Sequence, residues 1–136
     1  MSSFVSWCRS SRIMALALLL LWMAVIFSFS TLAGKATVGP PPLWYFLERK
    51  GAHVFEYALL MFLSFRFFRL SFTKESLLHI LAIAAVFSLM YGATDELHQF
   101  FVPLRGSKLS DVGIDGIGIL CAGLITFYWH KKKHRR

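Results

Sequence analysis

Four stretches of this chain, 13–32, 52–70, 76–101 and 111–129, are close to the length and apolarity that a helix needs to cross a bilayer core of about 30 Å. Few folds remain open to a chain with that pattern. Backbone N–H and C=O groups in hydrocarbon must be satisfied within the segment itself, so the spans are expected to be helical. The expectation is an all-α protein, a small bundle of four transmembrane helices in one domain covering 1–136, with a basic tail at 130–136 and both termini in the cytoplasm. At 57% hydrophobic and 16% charged, the chain is far from the roughly 25% charged of a soluble domain. A soluble fold of 136 residues could not hide that much apolar surface, 14 Phe included. Collagen-like, disordered and disulfide-scaffold classes are excluded on the same grounds.

The net charge of +8 does not indicate nucleic acid, because the bases fall in short clusters between apolar runs and form no single stripe. Cys8 precedes the first run and Cys121 lies inside the last, so they are expected at different depths and not bonded to each other. Arg9 and Arg12 ahead of an apolar run, with Ala33 and Gly34 after it, resemble a secretory signal. The length of the apolar core favours an uncleaved anchor. Beyond it, 34–42 carries Pro40, Pro41 and Pro42 and reads as a stiff extended linker. Trp44, Tyr45 and Phe46 then suggest an interfacial piece before the second span.

Orientation follows from Lys and Arg in the short loops. With the N-terminus inside, Arg9, Arg12, Arg66, Arg69, Lys74, Lys131, Lys132, Lys133, Arg135 and Arg136 are cytoplasmic, ten of the chain's 15 bases. Lys35, Arg49, Lys50, Arg105 and Lys108 are outside, together with every acid except Glu75. His79, His130 and His134 are expected at headgroup level. Arg66 and Arg69 are expected to snorkel inward.

Ionisable groups within spans are costly, and by default they mark paired networks or functional sites. Lys50, His53, Glu56 and Tyr57 share one face of the second span's outer turns. By helical rise, Glu56 sits about 9 Å deeper than Lys50. On the third span Tyr91, Asp95 and Gln99 recur every fourth residue, with Glu96 on the neighbouring row, and Pro103 ends the helix. The fourth span opens with Ser110 as a cap and Asp111 in the first turn, where a carboxylate offsets unpaired amides. Capping does not explain Asp115, one turn deeper. Gly113, Gly116, Gly118 and Gly123 thin one side of this helix, which suits close approach to a neighbour.

The run Lys50-x-x-His53-x-x-Glu56-Tyr57, then Tyr91-Gly92-x-x-Asp95-Glu96-x-His98-Gln99-x-Phe101-x-Pro103-x-Arg105, then Ser110-Asp111-x-x-x-Asp115-x-x-Gly118, resembles the VanZ-like family of bacterial membrane proteins. The resemblance implies a multi-pass protein of the bacterial cytoplasmic membrane with a role in the cell envelope. The family's namesake is associated with resistance to the glycopeptide teicoplanin without remodelling of the cell-wall precursor, so the resemblance implies a phenotype and no reaction. The family pattern often has Asn where this chain has Asp115, so the resemblance does not require a negative charge there.

Several readings of the polar residues stay open at this level. In a structural network, Lys50 and Arg105 pair with Glu56, Asp95, Glu96, Asp111 and Asp115 and pin three helices together. In a metal site, His53 and Glu56 act with Asp95, Glu96 and His98. In an enzyme, Glu96 or Asp95 is the general base, His53 the acid/base, and Lys50 and Arg105 hold an anionic group such as phosphate. In a binding or transport protein, Lys50, Glu56, Tyr57, Tyr91, Gln99, Arg105, Asp111 and Asp115 line a pocket for a glycopeptide, a lipid headgroup or a cell-wall intermediate. Transport by so few helices implies a homo-oligomer. No cofactor signature stands out.

Overall fold

A computed structural model of the chain describes residues 2–32, 43–103 and 109–133, leaving aside the side chains of 2–10, 45, 46, 109, 110 and 133. The proline linker at 34–42, Arg105, Lys108, His134 and the side chain of Cys8 lie outside the described residues. The described chain is entirely helical: α1 (Ser2–Ser30), α2 (Leu43–Ser71), α3 (Leu77–Phe100) and α4 (Leu109–Lys133). Three of these are long and apolar enough to cross a membrane, over Ser11–Ser30, Leu77–Phe100 and Asp111–Lys132. α2 is as long as α1 but carries Glu48, Arg49, Lys50 and Glu56 toward one end and Arg66 and Arg69 toward the other.

Helix boundaries extend past the apolar runs where the sequence permits. α2 starts at Leu43, directly after the proline linker, and takes in the segment expected to be a separate interfacial piece. Its Leu, Glu, Arg and Lys residues are good helix formers, and nothing interrupts the backbone ladder. α1 likewise runs back from Ile13 to Ser2, because an apolar run marks what lipid tolerates and not where helical hydrogen bonding stops. α3 begins at a cap the sequence reading passed over: Ser76 has extended backbone and its side chain accepts from the His79 N–H at 3.2 Å. The short turn before it is closed by Arg69 Nη1, which donates to the Glu75 carbonyl at 3.1 Å. α3 ends with the Phe101 N–H bonded to the His98 carbonyl, ahead of Pro103 as expected. α4 begins at Leu109, so Ser110 falls inside the first turn and not at the cap.

The helices alternate in direction. Tyr57 of α2 meets Gly92 of α3 while Phe68 meets Phe87, an antiparallel pair. α2 and α4 run parallel, with Lys50 against Asp111, His53 against Asp115, Met61 against Gly123 and Phe65 against His130. α2 is the central element, in contact with all three others, whereas α1 touches α2 and α3 but not α4 among the described residues. The core includes Tyr57, Leu60, Met61, Ile80, Ala84 and Ile119. Outside it, Leu20, Leu21, Val86, Met90, Leu120 and Ile125 are exposed, which suits a surface facing hydrocarbon.

Gly118 sets the tightest approach in the bundle. A Cβ built there would lie 2.3 Å from the Val54 carbonyl oxygen and 3.2 Å from the Ala58 nitrogen, so α2 and α4 meet backbone to backbone. A Cβ at Gly113 would have nothing within 4 Å. Gly118→Ala is therefore expected to push α4 off α2 and cost about 1–3 kcal/mol, as overpacking does. Gly113→Ala, with open space for its methyl, should leave the melting temperature in detergent unchanged or slightly raised. Equal melting temperatures for the two variants would show that the approach does not hold the bundle.

Candidate functional site: a buried histidine and carboxylate cluster

The close α2–α4 contact puts a set of polar side chains at the end of the bundle where α2 and α4 begin and α3 finishes. Lys50 forms an ion pair with Asp111, whose place in the first turn of α4 is one that favours a carboxylate. One turn deeper, His53 Nδ1 lies 3.0 Å from Asp115 Oδ1. From the other side, Tyr57 donates its hydroxyl to Asp95 Oδ2 at 3.2 Å and Gln99 donates Nε2 to the same oxygen at 2.8 Å. His53, Tyr57, Asp95, Glu96, Gln99, Asp111 and Asp115 are each no more than 6% exposed. Burial of this kind shields the groups from lipid and makes each hydrogen bond matter more.

One residue from each of three helices converges most closely. Ligand atoms of His53 on α2, Glu96 on α3 and Asp115 on α4 all lie within 4.8 Å of one another. Asp95 Oδ1 and Asp115 Oδ2 are buried with no hydrogen-bond partner among the described residues. Asp115 Oδ2 faces α3 at Gly92, where a Cβ would stand 3.4 Å from it. Gly92 and Glu96 are one turn apart on the same row, and the missing side chain at Gly92 lets Tyr57 and Asp115 pack closely against α3 beside that row.

The other candidate residues are placed differently. Glu56 is half-buried, and its backbone carbonyl accepts from Trp22 Nε1 at 3.0 Å, on the side of α1. Tyr91 also turns to α1, its hydroxyl donating to the Met23 carbonyl at 2.7 Å. His98 lies against the Phe27 ring with centroids 4.8 Å apart. Far from the cluster, His79 pairs with Glu75 at 2.6 Å in an exposed position. An apolar groove of about 630 Å³ runs between α3 and α4, lined by Leu81, Ala85, Leu89, Gly116, Ile119 and Gly123 among others. Its upper end, at Leu89 and Gly116, is next to Gly92 and Asp115.

The VanZ/LLP1 family model matches residues 14–130, which takes in all four helices and every residue of the cluster. The chain belongs to the VanZ/LLP1 family. Together with the apolar helices, that membership makes it a multi-pass membrane protein. Comparisons with curated proteins and with solved structures match nothing.

In this VanZ/LLP1 protein the cluster has an α1 support that sequence reasoning did not assign. Trp22 and Met23 tie α1 to the backs of α2 and α3 behind the polar residues. The available signal was Trp22 itself, an aromatic with a polar handle inside an otherwise apolar run. The pairing of Lys50 with Asp111 also bears on the stability of the site. Lys50→Met leaves a buried carboxylate uncompensated and is expected to cost about 3 kcal/mol. Asp111→Asn added to it should recover much of that loss. A double variant as unstable as the sum of the singles, by thermal denaturation in detergent, would mean that the two side chains do not interact.

Proposed function

We propose that all four helices of this protein cross the bacterial cytoplasmic membrane, that both termini are cytoplasmic, and that the buried cluster sits toward the extracytoplasmic face. There it binds or alters an amphiphilic envelope component, and so modulates sensitivity to lipid-tailed glycopeptides such as teicoplanin. Continuity between the apolar groove and the cluster carries this reading: Leu89 and Gly116 line the groove, and Gly92 and Asp115 follow within a turn. A ligand with an acyl tail and a polar head would use both. The crossing of α2 is supported by its central position, because Lys50, His53 and Tyr57 turn toward α3 and α4 while Arg66 and Arg69 lie toward its other end. The orientation is supported by the bases at Arg66, Arg69, Lys74 and Lys131 to Lys133 near the opposite end.

A membrane-embedded enzyme acting on a lipid-linked or phosphorylated envelope intermediate is the second reading. It is favoured by His53 lying against Asp115 and near Glu96, a set of groups able to accept and return a proton. Lys50 is then a positioning residue and not an anion clamp, because Asp111 already holds it.

Expression of the wild-type chain in a susceptible strain is expected to raise the minimum inhibitory concentration of teicoplanin and leave that of vancomycin, which has no acyl tail, unchanged. Glu96→Gln and His53→Gln should abolish the effect while the protein still reaches the membrane. No change with the wild-type chain, or an equal change for both antibiotics, would overturn the tail-dependent reading. In a variant without other cysteines, Arg136→Cys should resist impermeant thiol reagents in intact cells, and its labelling from outside would overturn the orientation.

A further inference from the structure

We infer that His53, Glu96 and Asp115 form a binding site for a divalent transition cation of the Zn(II) or Mn(II) type. The three residues come from three different helices, and their ligand atoms already lie within 4.8 Å of one another in a pocket closed to solvent. One imidazole with two carboxylates suits zinc, manganese or ferrous iron better than calcium or magnesium, which prefer oxygen alone.

The spacing agrees with that donor set. Two ligands about 2.1 Å from a common ion are about 3.0 Å apart when they meet at right angles and about 3.4 Å apart in a tetrahedron. His53 Nδ1 and Asp115 Oδ1 are 3.0 Å apart. The ion would take the place of the proton they share, which passes to water. A second observation points to a ligand independently of the clustering. Asp115 is 1% exposed, yet its Oδ2 has no hydrogen-bond partner among the described residues and faces the α3 row that carries Gly92 and Glu96. A bare buried carboxylate oxygen is costly, and a cation bound beside it removes that cost. Asp95 does not need to be a ligand. Its Oδ2 is already held by Tyr57 and Gln99, so it lies beside the site as a fixed acceptor. Three protein ligands leave at least one coordination position for water or for an oxygen of a bound headgroup.

The cation occupies the site of the proposed function without depending on it, since metal content is read in the absence of any antibiotic. The full chain, purified in detergent without a polyhistidine tag, is incubated with Zn(II) or Mn(II), desalted and analysed for metal per chain. One cation per chain is expected, with a melting temperature that rises on loading and falls back on chelation. His53→Gln and Glu96→Gln should lose the bound metal, and Asp115→Asn, which keeps a carbonyl oxygen, should bind at least about tenfold more weakly. His79→Gln, which removes only the exposed His79–Glu75 pair, should bind as the wild type does. No metal on the wild-type chain, or equal loss on His79→Gln and His53→Gln, overturns the site. If a site variant fails to fold, the wild-type stoichiometry and its reversible thermal shift still decide the matter.

Discussion

The bundle depends on one contact, the meeting of the α4 backbone at Gly118 with the α2 backbone at Val54 and Ala58. Helices that approach so closely cannot slide or rotate by even part of a turn without a collision. The register fixed there is carried along the seam in both directions, to Met61 beside Gly123 and to His53 beside Asp115. Because α2 and α4 run parallel, their polar turns come together at one end. If α4 ran the other way, Asp111 and Asp115 would lie at the basic end and His53 would face hydrocarbon-matched side chains. The polar cluster is in this sense a consequence of a glycine one turn beyond Asp115.

The cluster divides into groups that hold the helices together and groups that do not. Lys50 with Asp111, and Tyr57 and Gln99 with Asp95 Oδ2, are held across helix boundaries or along one helix face, although Asp95 Oδ1 has no hydrogen-bond partner among the described residues. Interactions of that kind within membranes are worth about 0.6 kcal/mol each on average, so they specify an arrangement more than they stabilise it. Asp115 does not fit this account. One oxygen meets His53, while the other is buried opposite a glycine, where any larger residue would have filled the space. A sequence selected only for packing would gain by an apolar residue at such a position. A buried carboxylate with one bare oxygen suits a site better than a strut.

Much of this organisation was legible in the sequence, and the exceptions have physical causes. The third helix was readable almost to the residue, because its apolar run and its following proline agree, although its Ser76 cap went unread. The start of α2 was not, because polar and aromatic residues at 43–51 can serve either an interface or a helix whose polar side is covered by protein. Sequence spacing put Lys50, His53, Glu56 and Tyr57 on one face, but a helical face spans a wide arc. Packing then gives them different partners, with His53 turned to α4, Tyr57 to α3, and the Glu56 backbone carbonyl held by Trp22 of α1. For the same reason Asp115, and not Glu56, is the carboxylate that meets His53 and Glu96. Partner choice between helices is a property of register, and register was set by a glycine that looked no different from its three neighbours.

Those neighbouring glycines have a separate role. Gly116 and Gly123 lie a heptad apart on the side of α4 that faces the groove, and their nearest neighbours are side chains, Leu89 at 3.8 Å and Met61 at 3.4 Å. They do not bring backbones together, and they leave volume between α3 and α4. The small residues of α4 therefore perform different tasks: Gly118 closes the α2–α4 interface, Gly123 continues that seam against the Met61 side chain, and Gly116 leaves space toward Leu89 of α3. An open apolar channel is easily maintained in lipid, where a tail fills it without a hydrophobic penalty. What distinguishes this groove from any other gap between membrane helices is its upper end, where the apolar lining is followed by Asp115 next to Gly116 and by Glu96 two turns beyond Leu89. A hydrocarbon chain alone has no use for that junction, whereas a molecule with a tail and a polar head has a use for both halves.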